Sequence, residues 1–242
     1  MPRDHPPPTN LRALNARFSS DPQGALRFAL SGALGRVALV SSFGAESAVL
    51  LHMAAQIDRN VPVLFIDTLM LFPETLEYQQ ELASHLGLGN IHRLTPERVA
   101  LFAQDPDAML HRANPDACCD LRKSQALARA LTGFDGLVSG RKRHQTSARA
   151  GLAIFEHEQE SGRIRINPLA DFDAPRLAAY FERHALPRHK LVARGFPSIG
   201  CAPCTGPAAP DEHPRAGRWR GKDKQECGIH IINGRVIRKG AA

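Results

Sequence analysis

Residues Arg36–Ile66 read R-V-A-L-V-S-S-F-G-A-E-S-A-V-L-L-H-M-A-A-Q-I-D-R-N-V-P-V-L-F-I. This stretch decides the fold class. Arg36–Ser41 is a short apolar run of the kind that forms a buried strand. Ser42–Ser47 is a turn of small residues, and Ala48–Ile57 has helical character. Val61–Ile66 is a second apolar strand, with Pro62 near its start, where a missing N–H is tolerated. Strands that alternate with helices predict a mostly parallel sheet.

The same alternation extends on both sides. A Pro-rich start, His5–Pro8, reads as a tail, and a helical stretch over Leu11–Leu34 follows it. Downstream, the pattern predicts a helix over Glu74–Leu86, a strand at Ile91–Leu94, a helix over Leu121–Leu131 and a strand at Leu137–Ser139. The expected fold class is α/β, a mostly parallel sheet with helices on both faces. After about Pro187 the periodicity stops, and Gly, Pro, Arg and Cys dominate. The expected organisation is therefore residues 1–35 as tail and helix, 36–187 as the α/β domain, and 188–242 as a C-terminal segment. Asn233-Gly234 is placed to turn a short hairpin there. No internal repeat is visible at periods of 20–50 residues.

Composition narrows the class. The 242 residues are 43% hydrophobic and 23% charged, which excludes a wholly disordered, collagenous or fibrous chain. Lys plus Arg is 31 and Asp plus Glu 24, a net +7 that is unevenly spread. Residues 1–117 carry 9 and 12, net −3; residues 118–242 carry 22 and 12, net +10. All five cysteines share the basic part: Cys118, Cys119, Cys201, Cys204 and Cys227. The start, MPRDHPPPTN, has no apolar signal region, and no run of apolar residues approaches a membrane span. The expectation is a cytoplasmic protein whose thiols stay reduced. An odd cysteine count there points to metal ligation, a reactive thiol, or both.

Three groups of residues carry chemistry. First, the turn after the first strand holds Ser41, Ser42, Gly44 and Ser47. In an open α/β sheet such a turn, with the helix N-terminus behind it, suits an anion. It is not a Walker A loop, because no Gly-Lys-Ser/Thr ends it. Second, Cys118-Cys119 and Cys201-Ala-Pro-Cys204 bring four thiols, which suit either a [4Fe–4S] cluster or tetrahedral zinc. Adjacent side chains point in different directions, which favours different irons of a cube over one zinc ion; a redox Cys-x-x-Cys is a third reading. Cys227 stands apart, between Lys222, Lys224 and Glu226 on one side and Gly228-Ile229-His230 on the other. It is either a nucleophile in an electropositive segment or a thiol without a role. Third, Gly140–Arg149 carries four positive charges and no acid, and Arg215 and Arg218 lie shortly before Cys227. These arginines suit a phosphate or sulfate clamp. With 1 Trp and 2 Tyr, there are few stacking platforms for nucleic acid.

Four segments together resemble the assimilatory adenylylsulfate/phosphoadenylylsulfate reductase family: SSFGAES (41–47), IDTLMLFPETLEY (66–78), SGRKRHQTSAR (139–149) and RAGRW…KQECGIH (215–230). The likeness runs from about Val37 to His230. It implies an adenine-nucleotide alpha-hydrolase-like fold related to the ATP pyrophosphatases, with a mobile C-terminal segment. The Cys-Cys plus Cys-x-x-Cys set resembles the subgroup that carries a [4Fe–4S] cluster, with Cys118, Cys119, Cys201 and Cys204 as ligands. Members of that subgroup typically use adenosine 5′-phosphosulfate (APS), and cluster-free relatives use the 3′-phosphorylated form (PAPS).

The resemblance makes Cys227 the catalytic nucleophile. It implies a phosphate loop of Ser41, Ser42, Phe43, Gly44, Glu46 and Ser47, with Asp67 and His230 also at the substrate. It places Lys123 between cluster and substrate, and Arg141, Arg215 and Arg218 near the phosphosulfate. The implied reaction is reduction of APS to sulfite and AMP in sulfate assimilation and cysteine biosynthesis, through an S-sulfocysteine that reduced thioredoxin, or a glutaredoxin, resolves. PAPS or dual use is the alternative. A cluster-bearing adenylating pyrophosphatase that thiolates tRNA and a nucleic-acid-binding module are more remote. No membrane or nucleic-acid partner is expected, and the oligomeric state is left open. Leu69 departs from the family's Asp-Thr-Gly, Ser139-Gly140-Arg141 from Gly-Leu-Arg, and Gln225 from a frequent Thr.

Overall fold

The computed structural model describes residues 10–222 except 160, together with Lys224 and Glu226. Cys227, His230 and the Asn233-Gly234 turn lie outside the described residues. Six strands form one sheet: β1 (Val37–Ser41), β2 (Val63–Ile66), β3 (Ile91–Leu94), β4 (Gly136–Ser139), β5 (Phe155–His157) and β6 (Ile164–Ile166). Their order is β3-β2-β1-β4-β6-β5. All neighbours are parallel except β5 and β6, which pair antiparallel. The register places Leu39 beside Val63 on one side and Val138 on the other.

The strand sequences explain both covered faces. Successive side chains of a strand point to opposite faces. Val37 and Leu39 of β1, with Val63 and Phe65 of β2, enter the larger core. Ala38, Val40, Leu64 and Ile66 enter a second core on the other face, closed by Leu127 and Leu131. A strand buried on both faces is apolar throughout, which is why both were legible.

Nine α-helices accompany the sheet among the described residues: α1 (Leu11–Arg17), α2 (Pro22–Leu30), α3 (Ser47–Ala55), α4 (Pro73–Leu86), α5 (Arg98–Gln104), α6 (Leu110–Ala113), α7 (Pro115–Cys119), α8 (Gln125–Leu131) and α9 (Ala174–Arg183). None is long and apolar enough to cross a membrane. The helical stretch expected over Leu11–Leu34 is two helices. Pro22 cannot continue a helix but fits the first position of one. Asp21 caps that start by accepting the Gly24 N–H at 2.8 Å. The β5–β6 hairpin and α9 were not anticipated. Both strands are three residues long, too short for a periodic signal, and Glu156-His157 gives β5 no second apolar residue.

Residues 188–222 join the fold. His189 is buried and shares a hydrogen bond with Thr75 at 3.0 Å, and Tyr78 donates to the Pro187 carbonyl at 2.8 Å. Bridges join Leu71 to Cys201 and Thr205 to Arg218.

Candidate active site

The chain leaves β1 to one side of the sheet for β2 and β3, then crosses to the other side for β4. The carboxyl ends of β1 and β4 therefore flank the switch in strand order, where α/β sheets bind ligands. A cavity of about 250 Å³ opens there. Its floor is the turn between β1 and α3. Ser41 accepts the Phe43 N–H at 3.1 Å, and the Ser47 N–H donates to the Gly44 carbonyl at 3.1 Å. Ser41, Ser42, Gly44, Glu46 and Ser47 all line the cavity. A Cβ on Gly44 would stand 3.2 Å from the Ile199 carbonyl oxygen, so glycine lets the opposite wall close in.

The charge of this cavity is its dominant feature. Lys123, Arg141, Lys142, Arg149, Arg215 and Arg218 line it against two carboxylates, Glu46 and Glu226. Arg141 is buried between Glu156, at 2.9 Å, and the Asn167 side-chain oxygen, at 3.1 Å. Burial pulls its pKa down to about 10, against the opposing pull of Glu156, so it stays charged at neutral pH. Lys142 is also buried, which lowers its pKa, and Glu46 opposes that from 2.7 Å. Arg218 lies over the Trp219 ring, 4.5 Å from its centre, and packs so tightly on Gly200 that a Cβ there would meet the guanidinium at 2.3 Å.

Two expected substrate residues stand elsewhere. Phe43 is fully buried and packs edge-on against Phe65, with ring centres 5.1 Å apart, so only its backbone belongs to the turn. Asp67 is buried under Arg93, whose Nε donates to it at 2.8 Å, and it accepts the Leu69 N–H at 2.9 Å. Neither is among the residues that line the cavity. In the sequence Lys142, Gln145 and Arg149 are parts of a basic run, and Glu226 is an acid beside Cys227. Nothing in the sequence marked them as partners, because 77 residues separate Arg149 from Glu226.

The cysteines form the wall beside this cavity. Cys118 and Cys119 are buried at the end of α7, whose start is capped by Asn114 accepting the Ala117 N–H at 3.0 Å. One wide π-helical turn, Asp120–Ser124, follows and buries Arg122 and Lys123. Such turns recur at functional sites because they re-aim side chains within a helix. Cys201 lines the cavity, and its Sγ shares a hydrogen bond with Thr68 Oγ1 at 3.2 Å. The Trp219 N–H donates to the Cys204 carbonyl at 3.0 Å. None of Cys118, Cys119, Cys201 and Cys204 forms a disulfide. Burial pushes the Cys118 thiol up; Cys201 and Cys204 push it further, and Arg122 opposes them. The two cysteine segments therefore lie within electrostatic reach of each other. Among the described residues, no three His, Cys, Asp or Glu side chains converge as ligands of a single metal ion do. Three non-glycine residues around the site hold left-handed backbones: Phe43 (φ 47°), Leu69 (φ 59°) and Trp219 (φ 49°).

Comparison with known proteins adds to this geometry. Residues 36–207 match the model of the phosphoadenosine phosphosulfate reductase domain. The chain belongs to that family. The reductase relatives include the adenosine 5′-phosphosulfate reductase of Mesorhizobium japonicum, 52% identical over 195 residues that span 81% of this chain and 76% of the relative. The protein of the same name from Chelativorans sp. is 49% identical over 81% of this chain and 80% of the relative. Among solved structures, the phosphoadenylyl-sulfate reductase of Candida auris in its phosphate complex superposes with a TM-score of 0.71 at 28% identity. That match covers 81% of this chain and 96% of the other. Yeast FAD synthetase, at 17% identity and a TM-score of 0.54 over 82% of this chain and 69% of the other, shares the fold alone. The reductase chain thus has the adenine-nucleotide alpha-hydrolase-like architecture.

Proposed function

We propose that this reductase converts adenosine 5′-phosphosulfate to sulfite and AMP for sulfate assimilation, with Cys227 as nucleophile and reduced thioredoxin as electron donor. The observation that carries the reading is the cavity itself. Six cationic side chains surround a small space at the sheet's switch point, and Glu226, the neighbour of Cys227 in the chain, lines it. The two relatives described above are named for the same substrate.

In the proposed reaction the Cys227 thiolate attacks the sulfur of the sulfuryl group. The bond from that sulfur to the bridging oxygen breaks, AMP leaves with the electron pair, and an S-sulfocysteine forms. A thioredoxin thiolate then attacks Cys227 Sγ. Sulfite departs with the pair from the S–S bond, leaving a mixed disulfide. The second thioredoxin thiol displaces the Cys227 thiolate and closes the thioredoxin disulfide, so the dithiol supplies both electrons. Arg215, Arg218 and Lys123 hold the sulfuryl oxygens and the departing phosphate, where preformed charge acts without reorganisation. The α3 N-terminus and the Ser41–Ser47 turn receive the phosphate.

We assign Cys118, Cys119, Cys201 and Cys204 as ligands of a [4Fe–4S] cluster. The donor set fits in kind: four cysteines outside any disulfide, in two segments, with Cys118 within electrostatic reach of Cys201 and Cys204. Trp219, whose backbone N–H reaches the Cys204 carbonyl, keeps its indole Nε1 buried without a hydrogen-bond partner among the described residues. When bound, the cluster would supply positive charge that stabilises the thiolates and organisation of the wall that carries Lys123. The deciding experiment is anaerobic turnover of APS and of PAPS with reduced thioredoxin. Sulfite release from APS with a much higher kcat/KM is expected; a preference for PAPS would overturn the substrate assignment.

A further inference from the structure

Glu226 is out of place in an anion-binding cavity. Its carboxylate is 4% exposed. Arg149 Nε donates to one oxygen and Nη2 to the other, both at 2.6 Å; Thr146 Oγ1 adds a bond at 3.0 Å, and Arg215 stands 3.8 Å away. A carboxylate here lowers the cavity's attraction for phosphate and sulfate, so the substrate does not account for it.

We infer that the Arg149–Glu226 pair is a positioning device for the Cys227 thiol, fixing the residue immediately before the nucleophile against the wall of the cationic cavity. This rests on the proposed role of Cys227. Consecutive Cα atoms are about 3.8 Å apart, so an anchored residue limits where its neighbour reaches. The anchor does not act alone. Lys222 donates to the His111 carbonyl at 2.7 Å, and Lys224 pairs with Asp116. Residues 222, 224 and 226 are thus each held to a different part of the fold: α6, α7 and Arg149. On the other side, Arg149 is aimed by Gln145, whose oxygen accepts from Arg149 Nη1 and whose amide donates to Glu46 at 3.1 Å. The guanidinium is oriented from the phosphate turn and acts through Glu226.

The test is the rate of Cys227 alkylation by iodoacetamide in nucleotide-free holoenzyme, followed by peptide mass spectrometry. If the pair anchors the segment, Glu226→Gln and Arg149→Met each speed alkylation by about tenfold or more. The double variant is no faster than the faster single, because one anchor is broken only once. Charge alone predicts otherwise. Removing a carboxylate beside a thiol lowers its pKa and speeds the reaction, whereas removing a guanidinium slows it. A slower or unchanged rate in Arg149→Met, or single effects that multiply in the double, overturns the inference. Glu226→Asp keeps the charge and is expected to restore most of the wild-type rate; it carries the test if Glu226→Gln does not fold. In turnover, Glu226→Gln lowers kcat by about tenfold while AMP binds no more weakly, because a negative charge has left the cavity. Faster alkylation in both variants of a protein that never turns over APS would leave the anchor standing and remove the proposed activity, so the two claims fail separately.

Discussion

Asp105→Ala is expected to destabilise the whole cysteine wall, and its size follows from burial. Asp105 and Arg122 are each 4% exposed. Arg122 Nη2 and Nε donate to Asp105 at 2.6 and 3.1 Å, and Arg122 Nη1 donates to the Thr68 carbonyl at 3.0 Å. Asp105 also accepts the Leu110 N–H at 2.8 Å. Burial alone would raise its pKa, but that backbone bond and Arg122 outweigh it and hold the carboxyl below its usual range. Arg122 thereby ties the Cys118-Cys119 segment to Thr68, whose hydroxyl meets Cys201. Removing one partner of a buried pair costs about 3–5 kcal/mol, because the other charge stays buried and unpaired. Arg122→Met has a similar cost. With both gone no charge is stranded, so the double variant is expected to lose far less than the sum of the singles, with a coupling of about 3 kcal/mol. At this chain length a loss of about 4 kcal/mol lowers Tm by roughly 8–16 °C. The assay is urea unfolding at pH 7 followed by circular dichroism and by fluorescence of Trp219, the single tryptophan, whose backbone N–H donates to the Cys204 carbonyl. A single-variant cost below about 1 kcal/mol, or an additive cycle, would refute the reasoning.

Three further outcomes are expected. Gly200→Ala drives a methyl into the Arg218 guanidinium, so AMP affinity should fall by about tenfold with Tm nearly unchanged, checked by calorimetry and melting. Leu69, 52% exposed with φ 59°, sits in a backbone region that costs an L-residue about 1 kcal/mol; Leu69→Gly should raise stability by about 0.5–1 kcal/mol, or Tm by roughly 2 °C. Burial, partly opposed by Glu74, holds His189 at about 4 against an ordinary 6.5, so the unfolded chain binds its proton first. Stability is then complete above about pH 6.5 and is lost as pH falls towards 4, by at most about 3 kcal/mol and roughly 2 after screening; His189→Asn should remove that component of the pH profile.

The strands that bury both faces were readable because apolar runs and β-branched residues leave no other home for them. The β1–α3 turn was readable for the same reason: small residues between such runs mark a turn. What escaped was non-local or irregular. The β5–β6 hairpin has strands of three residues, too short for alternation to stand out, and the break before α2 depends on one Pro and one capping Asp. The site was legible as residue types, not as partnerships. Arg141 and Lys142 read as members of a basic run, yet each is buried against a carboxylate: Glu156, 15 residues on, and Glu46, 96 residues back. Asp67 read as a ligand contact, and the structure pairs it with Arg93.

The central claim is a thiol that takes the sulfuryl group from an adenylylated sulfate. It is tested most directly by single turnover of APS without reductant, with intact and peptide mass spectrometry. The account predicts one SO3 group on Cys227 per AMP released, and none on Cys227→Ser. AMP release without that adduct, or an adduct on any other residue, would contradict it.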